Sequence, residues 1–76
     1  MNITQMKRGQ HAIIKELRGA SAIALRLQEL GLVPGTEITL QCAAPLGNPL
    51  LLRLRGYSLA LRREEAQQLE VTVLHS

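Results

Sequence analysis

Two short segments in the middle of the chain alternate apolar with polar side chains at a period of two, which predicts half-buried β-strands. Residues 37–42 place Ile38, Leu40 and Cys42 on one face, and residues 50–55 place Leu50, Leu52 and Leu54 on one face. An antiparallel pair joined by residues 43–49 brings the two apolar faces together. Its register pairs Cys42 with Leu50, Leu40 with Leu52, Ile38 with Leu54 and, on the solvent face, Glu37 with Arg55.

A further strand follows after a tight turn. Gly56 and Tyr57 predict a two-residue turn with glycine in its first central position, which favours type II′. That turn pairs Leu54 with Leu59 and Leu52 with Leu61, so more leucines join the same face. Because a shift of one residue would turn every leucine toward solvent, the pattern indicates an antiparallel meander with this face buried.

The rest of the chain predicts a helix and two further strands around the meander. Residues 10–17 are predicted as a first strand, in which adjacent Ile13 and Ile14 cannot both face inward, and residues 70–74 as a last strand. Residues 20–30 lack glycine and proline and predict a helix that ends before Gly31. Residues 62–69 predict a single helical turn. The predicted core consists of Ile23, Leu27, Leu30, Leu40, Leu52, Leu54 and Leu61.

This order of elements predicts a mainly-β fold. We expect a small barrel of five short strands, with one α-helix between strands 1 and 2 and a short helical turn before the last strand. A length of 76 residues predicts one domain over residues 1–76, without a deep substrate cavity. No apolar stretch suits a signal peptide or a membrane span, so we expect a cytoplasmic protein without direct membrane insertion.

Composition argues against several functions. The chain has one Tyr, no Phe and no Trp, whereas surfaces that stack bases or bind Pro-rich peptides depend on aromatic side chains. The net charge of +3 is modest and spread along the chain, so we expect no nucleic-acid partner. The acidic residues are all Glu, no nucleophile has an assignable base, and the glycines match no phosphate-binding loop. We therefore expect no catalytic residues.

Three side chains are candidate metal ligands: His11, Cys42 and His75. A structural zinc site usually takes four ligands at short spacings, and these three are scattered along the chain. Cys42 is predicted to face inward, where a thiol behaves as a small apolar group. We therefore expect neither a metal site nor a cofactor.

A candidate partner-binding surface comes from residues that periodicity places outside. On the predicted helix, Leu25 lies opposite the core stripe, and Leu46 lies in a loop. Leu51, Arg53 and Arg55 share the outer face of the strand over residues 50–55. An ordinary half-solvated strand face would hold the same residues. Because apolar anchors beside arginines are typical of interfaces, we take Leu25, Leu51, Arg53 and Arg55 as candidate partner-binding residues.

Two runs of sequence resemble the ferrous iron transport protein A family, FeoA. They are LRLQELGLVPGTEI at residues 25–38 and APLGNPLLLRLRGYSLALRREEAQQLEV at residues 44–71, and the resemblance extends from Gly9 to Val71. ELGLVPG alone is shared with the small barrel domain of iron-dependent repressors. Its combination with APLG, a leucine-rich strand, a glycine and LALRREEA follows the order and spacing of the FeoA signature. Asn48 stands where the family often has Asp, and it suits the same turn.

The resemblance implies an SH3-like barrel and a cytosolic accessory of bacterial ferrous iron uptake. Its implied partner is the large membrane permease of that system, with a cytosolic GTP-binding domain, and it implies no enzymatic activity. Two other functions remain open. One is a repressor-type SH3-like regulatory domain acting in metal-dependent transcription or nucleic-acid binding, which the lack of aromatic residues disfavours. The other is the supply of an arginine to a partner's GTP hydrolysis, from Arg53, Arg55, Arg62 or Arg63.

Overall fold

The computed structural model of the protein describes residues 1–18, 22–43 and 48–74. Within these residues, five antiparallel strands form one sheet in the order β4-β3-β2-β1-β5. The strands are β1 His11–Leu17, β2 Glu37–Ala43, β3 Leu50–Leu54, β4 Tyr57–Leu61 and β5 Leu69–Val73. The helices are α1 Ala22–Glu29 and α2 Arg63–Ala66, and a 3-10 turn spans Ile3–Gln5.

The predicted order of elements is confirmed. One α-helix lies between β1 and β2, and a single helical turn precedes the last strand. Residues 20 and 21 of the predicted helix lie outside the described residues, as do Leu46 and His75. Helix α1 ends at Glu29, and Gly31 lies just past its end as predicted, with a φ of 96° that suits glycine. The N–H groups of Gly31 and Leu32 donate to the carbonyls of Gln28 and Leu27, which closes the helix end.

Most of the predicted core is confirmed, with one error on the helix. Leu27, Leu40, Leu52, Leu54 and Leu61 are buried, and Leu30 is half-buried. Ile23, however, is 37% exposed. The buried side of helix α1 consists of Ala24 and Leu27, which lie about one turn apart. Ile23 is displaced to the side of that stripe, toward solvent.

The pairing of β2 with β3 follows the prediction at Leu40 and Leu52 and then departs from it. An irregularity between Leu40 and Cys42 sets Cys42 opposite Leu51, so the predicted Cys42–Leu50 pair is wrong. A β-bulge adds one residue to a strand and shifts every later pair, which alternation alone does not reveal. Because directly opposed residues share a face, Cys42 lies with Leu51 on the outer face, not the inner one.

The β3–β4 turn also differs from the prediction. Its central residues are Arg55 and Gly56, both with positive φ (47° and 82°), as a type I′ turn requires. Leu52 therefore pairs with Leu59 and Leu54 with Tyr57, two positions away from the predicted register. A shift of two preserves the inward face of the leucines. Since Arg55 belongs to the turn, the predicted Glu37–Arg55 pair is replaced by a hydrogen bond from Arg55 to Thr36.

The N-terminal segment contributes to the core in a way the periodicity did not indicate. Ile3 is fully buried, in a 3-10 turn that Asn2 caps by accepting from the Thr4 N–H. The Asn2 N–H donates to the Gln5 side chain, which completes a capping box. Asn2 forms an isolated β-bridge with Glu70, and the Val71 N–H donates to the Met1 carbonyl at 2.7 Å. This segment thus covers the outer edge of β5.

Candidate partner-binding surface

Helix α1 presents an apolar pair to solvent. Ala24 and Leu27 occupy its buried side. Leu25 is 59% exposed, as predicted from the helical wheel, and Ile23 lies on the exposed side as well. Sequence reasoning assigned Ile23 to the core and so missed it. The signal that identifies it is Ala24, since an alanine three residues before a buried leucine can form the packing stripe instead.

The outer face of β3 carries the predicted Leu51 and Arg53, although only Arg53 is well exposed. Arg53 pairs with Thr39 on one side and with Ser58 on the other. Leu51 is half-buried between its neighbours Cys42 and Ala60. Leu51 therefore points outward as expected, but it offers less apolar area than Leu25.

Arg55 lies at the C-terminal end of α1 and contributes to the fold there. Its Nη2 donates to Thr36 Oγ1 at 3.4 Å, and Thr36 Oγ1 in turn donates to the Gly31 carbonyl at 3.0 Å. The Tyr57 hydroxyl donates to the Leu30 carbonyl. A cation is favourable beside the carbonyls that end a helix. The β3–β4 turn therefore holds α1 against the sheet, and Arg55, although exposed, contributes to this contact through Thr36.

An open groove of about 440 Å³ runs between α1, β4 and α2. Its lining includes Ile23, Arg26, Ala60 and Arg62. At its base, Glu65 is only 6% exposed and accepts a hydrogen bond from Arg26 Nη1 at 2.5 Å. The other Glu65 oxygen accepts from the Arg62 N–H at 2.9 Å. A single buried carboxylate thus joins α1 to the start of α2.

The candidate metal ligands do not come together in the part of the chain that the structure describes. His11 Nδ1 lies 2.8 Å from Thr39 Oγ1, and Cys42 is half-buried beside Leu51. Among the described residues, no group of three His, Cys, Asp or Glu side chains could hold a metal ion. Likewise, no helix in these residues is long and apolar enough to cross a bilayer.

The fold and this surface define a small SH3-like domain with an exposed apolar helix face. Stenotrophomonas maltophilia FeoA complexed with zinc, described as a prokaryotic SH3 domain protein, is similar in structure. Its TM-score is 0.84 at 32% identity, over 95% of this chain and 89% of that one. The FeoA-like protein of Clostridium acetobutylicum has a TM-score of 0.93 at 34% identity. That match covers all of this chain and 88% of the other.

The family model of the FeoA domain matches residues 1–73, and the chain belongs to the FeoA family. A curated relative, the Fe(2+) transport protein A/Fe(2+) transporter FeoB fusion protein of Porphyromonas gingivalis, is 34% identical over all 76 residues. The chain spans 9% of the length of that relative.

We expect the isolated protein to bind neither Fe²⁺ nor Zn²⁺ at micromolar concentrations. His11 and Cys42 belong to no cluster of three ligands within residues 1–18, 22–43 and 48–74. A closed zinc site usually takes four ligands. Anaerobic calorimetric titration with each metal should give only the heat of dilution. A stoichiometric site that disappears in His11→Ala or Cys42→Ser would contradict this expectation.

Proposed function

We propose that this protein is a non-catalytic accessory of bacterial ferrous iron uptake and acts in the cytoplasm by binding the ferrous iron permease FeoB. The proposal rests on one observation: a relative of this chain is a fusion protein of Fe(2+) transport protein A and the Fe(2+) transporter FeoB. Two domains on one chain meet at an effective concentration that reaches the millimolar range for short flexible linkers. Fusion is therefore favourable where the separate domains act together.

The contact surface that we propose on this chain centres on Leu25. Leu25 is the most exposed large apolar side chain of α1, and Ile23 on the same helix adds a second apolar group. Leu51 and Arg53 on β3, with Arg55 at the turn, extend the proposal to the sheet. A transient interface with a permease fits an exposed apolar anchor beside arginines, since arginine forms bidentate hydrogen bonds with carboxylates.

The partner side of the proposed contact is the cytosolic GTP-binding domain of the permease. The test is a calorimetric titration of the full permease, in lipid nanodiscs, with the native chain. The same titration is repeated in the presence of GDP and of a non-hydrolysable GTP analogue. A strain lacking the chain should show slower uptake of labelled ferrous iron, restored by the native gene. No binding in any nucleotide state would overturn the proposal.

Leu25→Ser is expected to weaken binding to the permease by more than about fivefold, because truncating a central apolar anchor typically costs more than about 1 kcal/mol. Its effect on the free energy of unfolding should stay near 0.5 kcal/mol, since an exposed side chain is removed. Gln28→Ser, exposed on the same helix, controls for the lower helix propensity of serine. Equal binding by Leu25→Ser and Gln28→Ser would remove α1 from the interface.

A further inference from the structure

The two edge strands of the sheet differ in whether another segment pairs with them. Strand β5 forms one edge, and the Met1–Asn2 segment covers it through the Val71–Met1 hydrogen bond and the bridge between Asn2 and Glu70. Strand β4 forms the other edge. Within the described residues, the backbone hydrogen bonds of β4 go to β3. An edge strand without a covering segment offers unpaired N–H and C=O groups to another chain.

The turn determines which groups of β4 face outward. In a type I′ turn the Leu54 carbonyl accepts from the Tyr57 N–H, so Leu54 and Tyr57 form a hydrogen-bonded pair. Hydrogen-bonded and non-bonded pairs alternate along an antiparallel ladder. Ser58, opposite Arg53, and Ala60, opposite Leu51, therefore direct their backbone groups away from β3. Both residues are exposed.

These free groups border the groove described above. Ala60 lines it together with Ile23 of α1, so the edge of β4 has an apolar side chain across from it. A chain added along β4 would fill the groove and pack against Ile23. This arrangement suits strand addition, in which main-chain hydrogen bonds give affinity and side-chain pockets give specificity.

Positive charge flanks both ends of this edge. Arg53 of β3, which pairs with Ser58, and Arg55 of the turn lie near the start of β4, and Arg62 and Arg63 follow directly after Leu61; all four are exposed. Glu64 is an exposed carboxylate in the lining, and its Oε1 lies 4.0 Å from Arg62 Nη1. The charge of Glu65 is paired with Arg26. Among the described residues, Arg53, Arg55 and Arg63 form no ion pair, and Arg62 pairs only with Glu64, so an excess of positive charge remains at both ends of β4.

We infer that the outer edge of β4 binds an extended segment of a partner protein that carries acidic residues at both ends of its pairing region. A second copy of this chain fits less well. Antiparallel pairing of two β4 edges through Ser58 and Ala60 sets Arg63 of one copy beside Arg55 of the other. Like charges placed opposite each other destabilise a strand pair, so the charge pattern favours an acidic partner over self-association.

The test is an NMR titration of the ¹⁵N-labelled full chain with a peptide of about nine residues. Alternating Thr and Val cover the five residues of β4, and about two glutamates extend each end. The backbone amides of Ser58 and Ala60 should show the largest chemical-shift changes, and their hydrogen exchange should slow. A peptide with lysines in place of the glutamates should bind at least about tenfold more weakly. A peptide methylated on alternate backbone nitrogens should lose binding, because it loses the ladder donors.

Two changes in the protein sharpen the test. Arg53→Glu combined with Arg62→Glu leaves one arginine beside one new glutamate at each end of the edge, so the preference for the glutamate peptide should be lost. Lys7→Glu combined with Arg8→Glu makes the same change in net charge on exposed residues of the N-terminal segment and should leave the preference unchanged. Ala60→Pro should abolish binding while keeping the fold, since it removes an N–H that does not pair with β3.

The outcomes separate cleanly. Shifts centred on Ser58 and Ala60, with preference for glutamate and loss on N-methylation, support the inference. Shifts centred elsewhere, no shifts at all, or equal binding by the N-methylated peptide would overturn it. If, without peptide, hydrogen exchange at these two amides slows as the protein concentration increases, the edge pairs with a second copy of the chain. That result would also overturn the inference. Neither permease nor iron takes part, so failure here leaves the proposed transport role untouched.

Discussion

Replacing Leu52 with alanine is expected to lower the free energy of unfolding by about 2–5 kcal/mol. Leu52 is fully buried on β3 and pairs with Leu40 on one side and Leu59 on the other. The alanine leaves a cavity in the hydrophobic core, and β3 cannot move to fill it without disturbing its ladders with β2 and β4. Since a domain of this size has only a few kcal/mol of net stability, the variant should be largely unfolded at 37 °C.

Leu25→Ala provides the matched control for this experiment. It removes the same atoms from the exposed face of α1, where the change in unfolding free energy should stay within about 0.5 kcal/mol. Urea and thermal unfolding followed by far-ultraviolet circular dichroism measure both variants against the native chain. Melting of Leu52→Ala within a few degrees of the native chain would show that β3 does not face the core as described.

Glu65→Ala is expected to cost about 1.5–3 kcal/mol, which is large for a single acidic residue. The buried carboxylate accepts from both the Arg26 guanidinium and the Arg62 N–H, so its loss leaves the first turn of α2 without its cap. Glu64→Ala is the control. Glu64 is the adjacent glutamate of the same turn, it is exposed, and its ion pair with Arg62 is long at 4.0 Å. Its removal should cost about 0.5 kcal/mol or less.

A second comparison distinguishes the two roles of Glu65. Arg26→Ala removes only the ion pair and leaves the hydrogen bond between Glu65 and the Arg62 N–H. In the native chain, 62% of the Arg26 side chain is exposed. Because Glu65 lines the open groove, water can reach its carboxylate once the Arg26 side chain is removed, so Arg26→Ala should cost less than Glu65→Ala by at least about 1 kcal/mol. Equal costs for the two variants, measured by urea unfolding, would mean that the capping hydrogen bond to Arg62 contributes little. An effect of Glu65→Ala no larger than that of Glu64→Ala would contradict the prediction.

The inward faces of β2, β3 and β4 could be predicted because alternation has a period of two. The shift between the predicted and observed β3–β4 register is itself two residues, so Leu52 and Leu54 stay buried in either case. The bulge before Cys42 and the choice of Arg55 as a turn residue could not be predicted in the same way. Both depend on local backbone geometry, and a non-glycine residue at positive φ leaves no trace in the hydrophobic pattern.

The exposure of a candidate surface residue could be predicted only where it depends on a single helix or strand. Leu25 follows from the wheel of a single helix, and its exposure is confirmed. Ile23 and Arg55 depend on how α1 sits on the sheet and on what the β3–β4 turn contacts, which no local pattern encodes. The free edge of β4 depends on the order of strands in the sheet. That order is decided by the return of β5 to β1, a pairing between distant parts of the chain.

The contact between Tyr57 and the end of α1 gives the protein an optical reporter of its own. Tyr57 is the single aromatic residue of the chain, and its hydroxyl bonds to the Leu30 carbonyl. Near-ultraviolet absorbance and intrinsic emission therefore originate at one place, the junction between helix and hairpin. A ligand that shifts α1 against β4 changes the absorbance and emission of Tyr57, so no added label is needed. A ligand that leaves the junction intact does not change them.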